Sequence, residues 1–436
     1  MTSFLNGLLH PTRVFRGWWI VYTGTFALIL SGGATSYVFS VLVTPMQDEM
    51  GWSRATVVGV VAMGRLVEGV LSAPLGPLFD RYGARWLMAG GAVFGGLCFL
   101  LTGAVTEAWQ FYLLIGLGEA ITHPALQNIG PRTAIANWFA RNRPPAFAVY
   151  SIGRSISGVL LVPIAVWILD IASWRWVYVA VGLAEIFVLA PLCWMVVRRR
   201  PEDLGLQMDG DPPGRLPDTS PQAAAAVAED AAPWTRSSVM RTKTYWFLVI
   251  GFLLIAFPAS AIFIQMAAYA QEKGLSAAAA ATTLSVYGFG ALWGRPVWAW
   301  VTSRTSIRNA LTLFALTYGA SVLWYTWAGG ELAVYASVFS LGMTVGGSAQ
   351  LQGQVWPDYY GRRVVGAVTG IATFLNTPAS AGSTVLLAVV YDLTHKSSTV
   401  LTVYAGLALA AAVFFFLSTK PVPPIRVAKA TETIAG

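Results

Sequence analysis

Apolar runs of about twenty residues recur along nearly the whole chain, and most of the charge sits in the short connectors between them. Each run is long enough to cross a hydrocarbon core of ~30 Å as a helix, a form that satisfies its own backbone there. The alternating polarity of a membrane barrel is absent. Runs near 17–43, 53–79, 85–105, 109–139, 146–168 and 173–198 predict six helices. Six more are predicted near 244–270, 277–301, 308–327, 332–355, 364–391 and 399–416. Between the two sets the composition turns to Pro, Asp, Gly and an Ala tract, the signature of a solvated linker. The expected organisation is a first bundle over 1–200, a cytoplasmic linker over 201–241, and a second bundle with a cytoplasmic tail over 242–436. No small-residue cleavage site follows the first run, so it is read as a retained helix.

Composition narrows the class. Only 11% of residues are charged and 56% are hydrophobic, whereas a soluble domain carries about a quarter charged residues. The expected fold is therefore an all-α membrane protein. The net charge of +8 is spread through connectors rather than gathered into the basic patch of a nucleic-acid binder. A cytoplasmic N-terminus puts Arg13, Arg16, Arg81, Arg85, Arg141, Arg143, Arg198, Arg199, Arg200, Arg236, Arg241, Lys243, Arg304, Arg308, Arg362, Arg363, Lys420, Arg426 and Lys429 inside. Only Arg54, Arg175, Lys273 and Lys396 then fall outside. That asymmetry predicts a multi-pass cell-membrane protein with both termini cytoplasmic. Cys98 and Cys193 lie within apolar runs and read as small buried hydrophobes. His10 and His395 lack ligand spacing, so no metal or cofactor is expected.

The two sets of runs repeat one plan. Phe139-Ala-Arg-Asn-Arg143 after the fourth run is mirrored by Tyr360-Gly-Arg-Arg363 after the tenth, and Asp80-Arg81 after the second by Ser303-Arg304 after the eighth. Parallel halves of six spans are a transporter plan, with the solute site near mid-depth between them.

The loop Gly76-x3-Asp80-Arg81-x-Gly83-x-Arg85 is similar to the signature loop of the major facilitator superfamily. Arg16-Gly-Trp-Trp-Ile-Val21, Gly116-Leu-Gly118 with Pro124, Trp138-Phe-Ala-Arg-Asn-Arg-Pro144, Arg199-Arg-Pro-Glu-Asp-Leu-Gly-Leu206 and Gly294-Arg-Pro296 resemble the monocarboxylate porters and their bacterial relatives, including oxalate/formate exchangers. The resemblance implies twelve helices in two bundles that rock around a central site. It also implies an arginine of the eighth helix that binds the substrate carboxylate, and Arg295 occupies the matching position. The acidic residue that animal members carry one turn earlier is replaced by Ala291, and their first-helix lysine by an apolar residue near Val41. Proton coupling through those two groups is therefore not implied.

Arg295 is the only charge between Lys273 and Arg304. A guanidinium in mid-membrane costs between ~2.5 and ~17 kcal/mol depending on the reference, so it lines a polar path or meets an anion. Arginine suits a carboxylate because its planar fork donates two parallel hydrogen bonds. Arg154 is the candidate second anion contact, with Tyr287, Asn376 and Gln350 as polar lining. Glu119, Glu68 and His123 are the candidate proton carriers. Arg65 and Glu68 stand three apart on one helix face and could instead neutralise each other as a packing network. Asp80, Arg81 and Arg141 are the candidate gate latch between helix ends.

No nucleophile elbow or phosphate-cradling glycine loop occurs in a connector long enough to fold, so catalysis is not expected. The expected function is secondary active transport of a small organic anion, a monocarboxylate by resemblance, with proton symport by a monomer in the lipid bilayer. A proton-coupled exporter of amphipathic compounds and a non-transporting membrane sensor are the alternatives.

Overall fold

The computed structural model describes residues 15–211, 234–394 and 397–422. His10, Arg13, His395, Lys396, Arg426, Lys429 and most of the expected linker lie outside them. Twelve long helices run back and forth, with no strand among the described residues. The first half contains α1 Arg16–Met50, α2 Arg54–Tyr82, α3 Ala84–Thr102, α4, α5 Arg143–Ile171 and α6 Trp174–Val196. α4 is a composite of Ala108–Thr122, a π-helical turn His123–Gln127 and, beyond Asn128, Ile129–Trp138. The second half contains α7 Lys243–Glu272, α8 Ala277–Arg304, α9 Ile307–Trp327, α10 Glu331–Tyr360, α11 Val365–Thr394 and α12 Ser397–Leu417. Eight of the twelve, all but α4, α8, α9 and α11, are long and apolar enough to cross a membrane on their described residues alone.

Local chemistry sets the helix ends. The hydroxyls of Ser53, Thr242, Ser276 and Ser306 accept the first free N–H groups of α2, α7, α8 and α9. Gly83 closes α2 at φ 82° and Gly361 closes α10 at φ 74°, a backbone region that suits glycine. Gly83 belongs to the signature loop and Gly361 to the repeated Tyr360-Gly-Arg-Arg363 motif, so these connectors specify sharp turns as well as charge.

Each half buries its own apolar core. In the first, one cluster gathers around Trp138, Phe139, Phe147 and Tyr150 and another around Phe111, Trp174 and Tyr178. The second half packs around Tyr245, Trp356, Tyr404 and Phe415. The halves meet along α2 against α11 and α5 against α8. At the first of these contacts Gly76 lies on the backbone of Gly366, and Gly370 on the carbonyl of Ser72.

Within the second half, α8 and α10 touch backbone to backbone. Gly290 and Gly294 face the main chain at Phe339 and Met343, while Gly342 and Gly346 face Tyr287 and Ala291. Association of helices in lipid relies on such close approach of small residues. A Cβ at Gly294 would collide with the Met343 carbonyl, whereas one at Gly288 meets nothing within 4 Å. Gly294→Val is expected to cost about 1–3 kcal/mol by overpacking, seen as a lowered unfolding temperature of the detergent-purified protein. Gly288→Ala is expected to leave that temperature unchanged or raise it.

Candidate functional site

The site begins with the irregularity in α4. Pro124 lacks an N–H to continue the helix, and the chain passes through the π turn into Asn128 at φ −135°, ψ −85°. The loosened Gln127 carbonyl accepts the Tyr150 hydroxyl at 2.6 Å. The Gln127 side chain donates to the hydroxyls of Ser31 and Thr35 at 3.4 and 3.5 Å. Beyond the break, Asn128 and Arg132 point into the second half. Asn128 Nδ2 donates to Thr373 Oγ1 at 3.3 Å, and Arg132 Nη1 to Gln352 Oε1 at 3.4 Å. A cavity of about 510 Å³ lies between the halves here, with walls from α2, α4, α7, α10 and α11. Arg65, Glu68, His123 and Arg132 line one side, and Gln352, Trp356 and Asn376 are on the other.

Glu68 is shared between two partners. Arg65 Nη1 donates to its Oε2 at 3.2 Å, and His123 Nδ1 lies 2.6 Å from its Oε1. Glu119 is buried within electrostatic reach of Arg65, but neither carboxyl oxygen has a partner in hydrogen-bonding geometry. The Thr35 hydroxyl beside it already donates to the Ser31 carbonyl.

Arg295 is 6% exposed, and its Nη1 donates to Ser155 Oγ of α5 at 2.8 Å. Its direction follows from helix geometry. Gly294 is pressed onto α10, so the next side chain, about 100° further round at 3.6 residues per turn, faces α5. Arg154 lies within electrostatic reach of Arg295, Arg132, Arg65 and Glu68. No carboxylate stands at ion-pair distance from Arg132, Arg154 or Arg295 among the described residues. Four guanidiniums, Arg65, Arg132, Arg154 and Arg295, thus share this interior with two carboxyls, Glu68 and Glu119.

The sequence candidates divide accordingly. The structure brings Glu68, His123 and Asn376 to the cavity wall, and places Glu119 and Arg154 within the same field of charge. Gln350 turns away, its Nε2 donating to Thr302 Oγ1 at 3.1 Å inside the second half. Tyr287 packs its ring on Phe263, with centroids 5.4 Å apart, and does not line the cavity. Arg132 was not among the candidates. Its signal is Gly130-Pro-Arg132, an arginine beside proline and glycine like Gly294-Arg-Pro296.

Residues 24–384 match the sequence profile of the Major Facilitator Superfamily. The chain belongs to that superfamily. Among curated relatives, the probable L-galactonate transporter of Escherichia coli is 26% identical over 57% of this chain and 53% of its own length. Monocarboxylate transporter 11 of Homo sapiens is 24% identical over 82% of this chain and 74% of its own. Among solved structures, the proton:xylose symporter XylE superposes with a TM-score of 0.70 at 14% identity, over 92% of this chain and 95% of that one.

In this facilitator the end of the bundle that carries the linker is tied shut between the halves. Both Asp80 carboxylate oxygens accept N–H groups from the start of α11, Gly366 and Ala367, each at 2.8 Å, where the helix N-terminus favours an anion. Arg143 pairs with Asp358 at 2.7 Å. Arg362 donates to Glu202 at 2.8 Å and to the Asn137 carbonyl at 3.1 Å. Asp80 thus crosses the interface, alongside Arg143 and Arg362. Arg81 lies over the ring of its neighbour Tyr82, while Arg141 pairs with Asp211 of the linker. Asp209 anchors the same linker by accepting the N–H groups of Ala140, Arg141 and Asn142. Hydrogen bonds to a charged acceptor contribute roughly 1.5–3 kcal/mol. Asp80→Asn is therefore expected to speed hydrogen exchange of the Gly366 and Ala367 amides at least ~10-fold, with amides inside α9 unchanged.

Proposed function

We propose that this facilitator is a secondary active transporter of a small organic anion, bound between its halves. The observation that carries the reading is the excess of guanidiniums over carboxyls in the interior between the halves, where Arg65 and Arg132 line the cavity and Arg154 and Arg295 stand outside its lining. Desolvation costs several kcal/mol per buried ion, and an anion offsets it best when it is also hydrogen-bonded. Arg132 presents a fork to the cavity, and Arg295 holds only a neutral hydroxyl that an anion can displace. The names of the human and Escherichia coli relatives, a monocarboxylate and an L-galactonate transporter, both point to a carboxylate.

Residues 1–200 and 242–436 then act as the two rocking bodies, joined by 201–241 as a linker. Asp80, Arg143 and Arg362 form the latch at the cytoplasmic end. In this reading both termini are cytoplasmic, the membrane is the cell membrane, and one chain suffices because the site is complete within it. Glu119, buried with neither carboxyl oxygen partnered, is the proton acceptor, and Glu68, held between Arg65 and His123, is the ion-paired carboxyl beside it. Binding an anion neutralises part of the excess charge, and a co-transported proton on Glu119 removes an unpaired buried carboxylate from the loaded carrier as it reorients.

Uptake of a responding radiolabelled organic acid into proteoliposomes is expected to be abolished by Arg132→Ala and by Arg295→Ala. Arg295→Lys should lower it on the order of tenfold, the equivalent of one lost hydrogen bond at ~1.4 kcal/mol, while Arg81→Ala leaves it intact. Full uptake in both alanine variants rejects the anion site. Separately, wild-type uptake should carry protons into weakly buffered vesicles. Glu119→Gln should remove that pH change while preserving solute counterflow; a wild-type uptake without any pH change rejects symport.

A further inference from the structure

The cavity wall holds more than charge. Asn128 Oδ1, Asn376 Oδ1, Thr369 Oγ1 and Arg132 Nε are all buried without a hydrogen-bond partner among the described residues, and all four side chains line this one cavity. Native interiors leave few polar atoms unpaired, so a cluster of them around one space marks what that space is built to receive. The set is chemically mixed. Arg132 Nε–H is a donor suited to an acid group, whereas the two amide oxygens accept only from O–H or N–H, and the Thr369 hydroxyl can do either. An unsubstituted aliphatic carboxylate satisfies the guanidinium and leaves the acceptors empty. An ammonium would satisfy the acceptors against a field in which Arg65, Arg132 and Arg154 outnumber the carboxyls.

Size and apolar surface agree. A volume of about 510 Å³ lies in the ~300–1,000 Å³ range of small-molecule sites and is generous for a two- or three-carbon acid. Phe252 and Trp356, with ring centroids 6.0 Å apart, add an aromatic wall from α7 and α10, suited to the C–H face of a polyol chain.

We propose that the solute is a hydroxylated carboxylate of about sugar-acid size, its acid group at Arg132 and its hydroxyls at Asn128, Thr369 and Asn376. This rests on the anion-transport reading above and narrows it. The test is binding to the purified full-length protein, by calorimetry and thermal shift, of three matched probe sets. These are six-carbon aldonates of differing configuration, hexanoate with its shorter homologues, and the corresponding uncharged alditols.

At least one aldonate is expected to bind tenfold or more tightly than both hexanoate and its own alditol. Asn376→Leu and Asn128→Leu should shrink the preference for aldonate over hexanoate, while Arg132→Ala weakens both acids together. Hexanoate binding as tightly as every aldonate overturns the hydroxy-acid inference and leaves the anion reading standing. An alditol binding as tightly as its aldonate, or no binding by any acid, overturns both. Asparagine variants that keep the full aldonate preference with unchanged unfolding temperature overturn the assignment of those contacts.

Discussion

A guanidinium removed from water needs an anion, and the interior between the two halves supplies fewer anions than guanidiniums. Several features of the fold serve to hold that imbalance in place. The π turn and break in α4 aim Arg132 at the second half. The backbone contact of α8 with α10 leaves Arg295 a single direction, across to Ser155. Glu68 is tied by Arg65 and His123, so it cannot simply swing over to neutralise Arg154. Each of these is a restraint on where charge sits. Together they keep the centre of an otherwise apolar molecule positive.

The twelve helices were legible because a span needs a long apolar run and connectors concentrate charge. Most of their ends moved outward by a few residues, α5 starting at Arg143 and α10 running to Tyr360, since interfacial turns stay helical after the apolar signal has faded, while α3 and α6 stop short at Thr102 and Val196. The isolation of Arg295 in an apolar run was legible, and the structure buries it against Ser155 of the other half. The break in α4 was not, because it depends on Tyr150 of another helix taking up the Gln127 carbonyl. Without that break the helix phase beyond Asn128 is misjudged, and with it the direction of Arg132. Gln350 and Gln352 illustrate the same limit. Two residues apart, they sit about 200° apart around the helix, and only packing reveals that the second faces the cavity and the first Thr302. The latch likewise depended on tertiary pairing. Basic connectors were visible in sequence, but Asp358 and Glu202 as partners of Arg143 and Arg362 were not.

The closed end combines two kinds of contact with different tolerances. Glycine backbones of α2 and α11 meet so closely that no side chain fits between them, a contact that is either made or broken. Around it, Asp80, Arg143 and Arg362 bind through charge, the two guanidiniums buried and their carboxylate partners Asp358 and Glu202 partly open to water. Steric contact sets the closed geometry, and directional charged bonds fix its register.

The bond from Arg295 to Ser155 spans the two halves and ends on a neutral hydroxyl. On the proposed reading, an anion at Arg295 meets an Nε–H that has no partner and competes with Ser155 for the guanidinium. The contact that joins the halves and the contact that would hold the cargo then draw on the same side chain.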